Sequence, residues 1–201
     1  GACRVVARTL GVEGAAGWVQ SAERACAGLS RGDFDLILAT GGPFVSFGLA
    51  RRLSRRLGCP FVLDYRDPWT ANPHIWDGVG TAGASSEEAL LLRDCAAATV
   101  VSPSWAELIG GTFGATDKMR VISNGFDPDT FTGIEPARFD HFTVVYAGTL
   151  YPPKRVLDPV LLAFKAFAER RPARPAKFHY YGDYNAAVRE AAARLGASAH
   201  V

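Results

Sequence analysis

Short apolar runs alternate along this chain with amphipathic stretches, and glycine or proline stands at most junctions. DLILAT (35–40) is followed by Gly41-Gly42-Pro43 and a helical pattern from about Phe44 to Leu57. Gly58-Cys59-Pro60 stops that pattern, and Phe61 to Asp64 is the next apolar run. Short continuous apolar runs bounded by turn residues suit strands buried in a parallel sheet. Strand, crossover helix and parallel strand make a βαβ unit with a right-handed crossover. The chain is thereby constrained to an α/β fold, with parallel sheets flanked by helices.

The rhythm continues on both sides. Trp18, Ala22, Ala25, Cys26 and Leu29 recur at helical spacing from Gly17, and Gly32 ends the pattern. Tyr65 to Ser85 has no clear period and carries Trp69, Pro73, His74 and Trp76. A connection of that length is expected to be functional or mobile. Ser86, Glu88 and Ala89–Leu92 then open a helix to about Ala97. A strand at Thr99–Ser102, a helix at Trp105–Phe113 and a strand at Arg120–Ser123 follow. Beyond a linker come strand Phe142–Ala147, helix Leu157–Arg170, strand Phe178–Tyr181 and helix Tyr184–Leu195. Two doubly wound, Rossmann-like domains are expected, residues 1–135 and 136–201, both incomplete. The opening Gly-Ala-Cys-Arg has neither an initiator Met nor a signal-peptide pattern, so the chain reads as the middle of a longer one.

Several functions are disfavoured. A net charge of +2 and the lack of a recognisable motif argue against nucleic acid as a partner. No apolar run reaches the roughly 18 residues of a membrane span. Cys3, Cys26, Cys59 and Cys95 are scattered without CxxC spacing, which leaves zinc and redox motifs unsupported and suggests buried free thiols in a reducing cytoplasm. Arg51, Arg52, Arg55 and Arg56 form a basic face opposite Leu49, Leu53 and Leu57. That face is either a peripheral contact with anionic lipid or the solvated outside of a sheet-packed helix.

The segment from Val121 to Arg155 carries the chemistry. Phe142–Ala147 breaks at Gly148, and Lys154, one of only four lysines, precedes a helix. Glycine lets the backbone approach a ligand closely. A helix N-terminus and a compact cation both favour a diphosphate. Arg155 is a second candidate cation. Asp183, after Gly182 at a strand's carboxyl end, either lies near a nucleotide or forms a turn. Gly41 and Gly42 end an earlier strand, as ligand contacts or as a tight turn. Arg66 and Asp67 are either a mutual ion pair or cleft groups, the carboxylate orienting an acceptor hydroxyl. Trp69, His74 and Trp76 either form a platform for a sugar ring or pin their loop to the core.

These motifs, in this order, resemble a family 4 glycosyltransferase of the GT-B fold. The similarity runs from about Trp18 to Asp183. It rests on Asp64-Tyr65-Arg66-Asp67-Pro68-Trp69, on a strand ending at Ser102, on Asn124, Gly125, Asp127 and Phe131, and on Gly148-Thr149-Leu150 with Lys154. The resemblance implies transfer of a sugar, with retention, from a nucleotide-diphosphate sugar to an acceptor hydroxyl. It implies no metal and no cofactor. Gly148, Thr149, Lys154, Arg155 and Asp183 would serve the donor. Gly41, Gly42, Arg66, Trp69 and His74 would serve a saccharide, lipid-linked or small-molecule acceptor, with Asp67 catalytic. A hinge near residues 124–141 would close the site. Two departures stand out: Thr149 replaces the Arg that many members direct at the diphosphate, and the family's Glu-x7-Glu element does not occur before Val201. The residues as given are therefore expected to be inactive alone. Two alternatives remain open. One is a catalytically silent nucleotide-sugar-binding or scaffolding protein. The other is a GT-B-type epimerase, which would need acid/base groups not evident near Gly148.

Overall fold

The computed structural model describes residues 16–72, 81–150, 152, 155–170 and 175–201. His74, Trp76 and Lys154 lie outside the described residues, as does Cys3. The chain divides into two compact units between Phe126 and Asp127, so residues 127–135 go with the second.

In the first unit, α1 (Ala16–Ala25) precedes β1 (Ile37–Thr40), α2 (Val45–Leu57), β2 (Phe61–Tyr65), α3 (Thr81–Asp94), β3 (Ala97–Val100), α4 (Pro103–Phe113) and β4 (Met119–Val121). The four strands pair in consecutive order, all parallel. Alternate strand residues Ala39, Phe61, Leu63, Tyr65, Ala98, Val100 and Met119 form one core with Phe47 and Ala50 of α2, Leu91 and Leu92 of α3 and Ile109 of α4. Those three helices thus cover a single face, whereas Leu38 on the other face is 63% exposed. The expected doubly wound pattern is not completed among the described residues, because a strand order that never reverses keeps its crossover helices on one side.

Local chemistry sets the boundaries. The α2 helix ends at Gly58, whose left-handed φ of 72° lets its N–H reach Ser54 O. Ser102 belongs to the start of α4, not to a strand: its hydroxyl accepts from Trp105 N at 3.4 Å, and Pro103 takes the first helical position. The α3 helix begins at Thr81, earlier than Ser86, since Ala82 and Ala84 favour helix despite Gly83. Lys118 Nζ donates to the Leu92 and Cys95 carbonyls at 2.9 Å each, closing the C-terminal end of α3.

The four arginines of α2 are used within the unit. Arg51 and Arg55 reach Asp94 at 2.6 and 3.0 Å, Arg52 reaches Glu23 at 2.6 Å, and Arg56 donates to Cys26 O at 2.6 Å. They tie α2 to α1, to the turn after it and to the C-terminal end of α3. Cys59 and Cys95 are buried free thiols, and Cys26 is half-buried. No helix among the described residues is long and apolar enough to cross a membrane.

The second unit has β5 (Phe142–Ala147), α5 (Asp158–Glu169), β6 (Ala176–Tyr181) and α6 (Asn185–Arg194). Its strands pair in parallel, with Ala147 opposite Tyr181. One face, including Val144, Tyr146, Phe178 and Tyr180, packs on Leu161, Phe164, Val188 and Ala192.

Candidate functional site

The parallel register brings the ends of β5 and β6 together, so Gly148 and Gly182 leave the sheet side by side. Gly148 N donates to Tyr181 O at 2.9 Å, and its φ of 150° lies where side chains are strained. A Cβ on Gly182 would sit 2.2 Å from Gly148 O and 2.4 Å from the Tyr180 hydroxyl. Only glycine allows this approach. Beyond the glycines, Thr149 Oγ1 donates to Asp183 Oδ2 at 3.3 Å.

Two stacked tyrosines support the corner, with Tyr146 and Tyr180 ring centroids 5.8 Å apart and 17° between planes. The Tyr146 hydroxyl donates to Thr149 O at 3.4 Å, and the Tyr180 hydroxyl accepts from Tyr184 N at 3.3 Å. Asn185 Nδ2 donates to Gly182 O at 2.8 Å, fixing the entry to α6. Sequence reasoning missed these supports, although the aromatic pair was visible as tyrosines two residues before each glycine. The corner thus unites Gly148, Thr149 and Asp183 of the expected donor set. It offers a hydroxyl, a carboxylate and closely approachable backbone at the carboxyl end of a parallel sheet, where α/β ligands bind. Arg155 is exposed, ahead of α5.

The first unit builds a comparable edge. Thr40 is in register with Asp64, and Gly41 N donates to Asp64 O at 2.8 Å, so Gly41-Gly42 and Arg66-Asp67 leave adjacent strands. Gly41 is required by packing, since a Cβ there would lie 2.5 Å from the Phe44 ring. Gly42 has a φ of 82°. Arg66 and Asp67 are exposed, and no ion pair joins them among the described residues. Of the two alternatives for this pair, the mutual ion pair is not formed, and both residues lie exposed in the turn after β2.

Trp69 also departs from the acceptor-platform expectation. It is 3% exposed and stacks on Phe44, with centroids 5.4 Å apart and 11° between planes, and Phe47 meets it edge-on. Its ring pins the loop to the core and has no free face for a sugar. Beneath the same loop, Glu88 is buried, and its Oε2 accepts from Thr70 N at 3.1 Å and Thr70 Oγ1 at 2.5 Å. Burial raises its pKa, against the lowering effect of the Thr70 hydrogen bonds. This residue too was missed. The signal was present: Ala84, Glu88, Leu91, Leu92 and Cys95 form one helical stripe, with a carboxylate among apolar residues.

Among the described residues, no group of three or more His, Cys, Asp or Glu side chains is arranged to hold a metal.

Each of the two α/β units thus carries adjacent strand ends that turn out of a parallel sheet at glycines. Residues 1–125 match the glycosyl transferase 4-like domain, and the chain belongs to that family. In structure it is similar to HepE from Anabaena. The form solved with UDP gives a TM-score of 0.62 at 15% identity over 91% of this chain and 50% of HepE. The form solved with UDP and glucose gives 0.58 at 17% identity, covering 92% and 49%. The form with UDP-glucose gives 0.58 at 16%, covering 91% and 50%. The chain spans about half the length of these structures, and the likeness establishes the GT-B fold. No curated protein matches the chain.

Proposed function

We propose that the chain forms part of a glycosyltransferase that moves a sugar, with retention, from a nucleotide-diphosphate sugar to an acceptor hydroxyl. Gly148, Thr149 and Asp183 serve the donor, together with Lys154 and Arg155. Gly41, Gly42, Arg66 and Asp67 serve the acceptor, Asp67 orienting the attacking hydroxyl. The observation that carries this reading is the joining of Gly148-Thr149 to Gly182-Asp183 in a family 4-like chain. HepE was solved with UDP and UDP-glucose, which makes a uridine donor the first to test.

Backbone N–H groups and the basic residues around 154–155 would stabilise the leaving diphosphate, without a bound metal. Preorganised donors aimed at developing charge are a large contribution to catalysis. Asp183 would accept a hydrogen bond from a donor hydroxyl while Thr149 holds its carboxylate. A second reading is favoured by Thr149 itself, which supplies no charge where the resemblance places an Arg: binding of a nucleotide sugar without transfer.

Ligand-observed NMR with UDP-glucose, UDP, UMP and uridine tests the donor assignment. Binding that requires the diphosphate supports it. Equal binding of UDP and uridine, or no binding by any of them, overturns it. Transfer of labelled sugar to an acceptor, with the anomeric configuration kept, separates the enzyme from the silent binder.

A further inference from the structure

Among the described residues, Glu88 is the one Asp, Glu, Lys or Arg that is fully buried, at 1% exposure. It lies on the inward stripe of α3, and its Oε2 takes both donors of Thr70. Its Oε1 and the Tyr65 hydroxyl are buried with no hydrogen-bond partner in good geometry among the described residues. The two groups are nonetheless close enough to bias each other's protons. Thr70 follows Arg66 and Asp67 closely, so the carboxyl holds the far end of the turn that presents them.

A buried carboxylate without a cation is strongly penalised, and no Lys or Arg pairs with Glu88 among the described residues. The neutral acid fits the geometry better. Its Oε2 accepts both Thr70 hydrogen bonds, which leaves the proton to the buried Oε1. The charged and titratable groups facing this pocket are Tyr65 on β2 and, behind Tyr65, Cys95 at the end of α3.

We propose that Glu88 is the positioning residue of the Arg66-Asp67 turn, holding it through Thr70 as a neutral, proton-bearing carboxyl. Its importance for transfer rests on the reading of Asp67 as an acceptor-side group. The clamp itself does not. When Glu88 loses its proton to solvent, the buried charge draws water in and the turn loosens. Because the folded carboxyl titrates above its unfolded value, the neutral form contributes fully below the unfolded value. That contribution is lost as pH rises through the folded one.

The test is amide exchange of residues 66–70 in the 201-residue chain against pH, normalised to intrinsic rates, in wild type, Glu88→Gln, Glu88→Ala and Thr70→Val. Wild type should lose protection as pH rises, while Glu88→Gln, which keeps an acceptor and a donor, should stay protected and pH-independent. Glu88→Ala should exchange on the order of tenfold faster than Glu88→Gln at every pH. If that variant does not fold, Thr70→Val should show a smaller acceleration in the same amides. A protonated-carboxyl infrared band should be present in wild type and absent in Glu88→Gln. Identical pH profiles in wild type and Glu88→Gln, or full protection of Thr70 in Glu88→Ala, overturn the proposal. No nucleotide enters this experiment, so its failure is distinct from failure of the transferase reading.

Discussion

Gly182 stands against the backbone of Gly148 so closely that a Cβ on the first would lie 2.2 Å from the carbonyl oxygen of the second. Two loops that are far apart in sequence are thereby held in one corner by the absence of a side chain. Gly182→Ala must push the loops apart or displace the Tyr180 ring. A cost of about 1–3 kcal/mol is expected, the usual range for overpacking. Chemical denaturation followed by circular dichroism measures it.

The Thr149–Asp183 hydrogen bond is the corner's polar link. Asp183→Ala removes the carboxylate proposed to receive a donor hydroxyl and frees Thr149. Nucleotide-sugar affinity should fall about tenfold, the equivalent of about 1.4 kcal/mol. Asp183→Asn, which keeps an acceptor for Thr149, should fall less. Calorimetric titration of both variants checks the order.

Asp94 should dominate the acid limb of stability. Hydrogen bonds from Arg93 and Arg51 hold its carboxyl down at about 2, against an ordinary value of 3.8. A depressed carboxylate stabilises the fold above its unfolded value, and this is lost as pH falls through the folded one. Stability should therefore drop between about pH 4 and pH 2. Asp94→Asn should flatten that drop while costing at most about 1 kcal/mol per exposed pair at neutral pH. Thermal melts across the range decide the matter.

Trp69 is a core residue, stacked on Phe44. Trp69→Ala should cost about 3–5 kcal/mol, as large aromatic truncations do. Trp69→Phe should be much milder. Urea unfolding of the two variants provides the comparison. A near-neutral Trp69→Ala would show that the ring belongs to a surface platform.

The two units should differ in local stability. Residues 142–201 rest on a two-stranded sheet with Val145 and Tyr181 exposed on its outer face, whereas residues 35–123 rest on four strands. Faster amide exchange is expected across the second set. Uniform protection by mass spectrometry would contradict it.

What the sequence revealed was whatever is encoded locally. Gly42, Gly58 and Gly148 mark turns through their own positive φ, so the strand–helix order could be read without tertiary information. Strand limits were less legible. Ser102 follows two valines and looks like strand, yet its hydroxyl caps α4. The pairing of Gly148 with Gly182 depends on the register of β5 on β6, which no local pattern specifies. Glu88 escaped notice for the same reason. A glutamate near a helix start reads as solvated until the helix phase shows that it points inward with Leu91 and Leu92. Trp69 failed as a platform because aromatic faces suit both sugars and cores, and only Phe44 and Phe47 decide between them.

The most direct test of the central claim is a titration of the isotopically labelled chain with UDP, followed through backbone amide shifts up to millimolar ligand. The account predicts saturable shifts centred on Gly148, Thr149, Gly182 and Asp183, and their loss in Gly182→Ala. No shift at those four amides, or shifts confined to residues before Phe126, would contradict it.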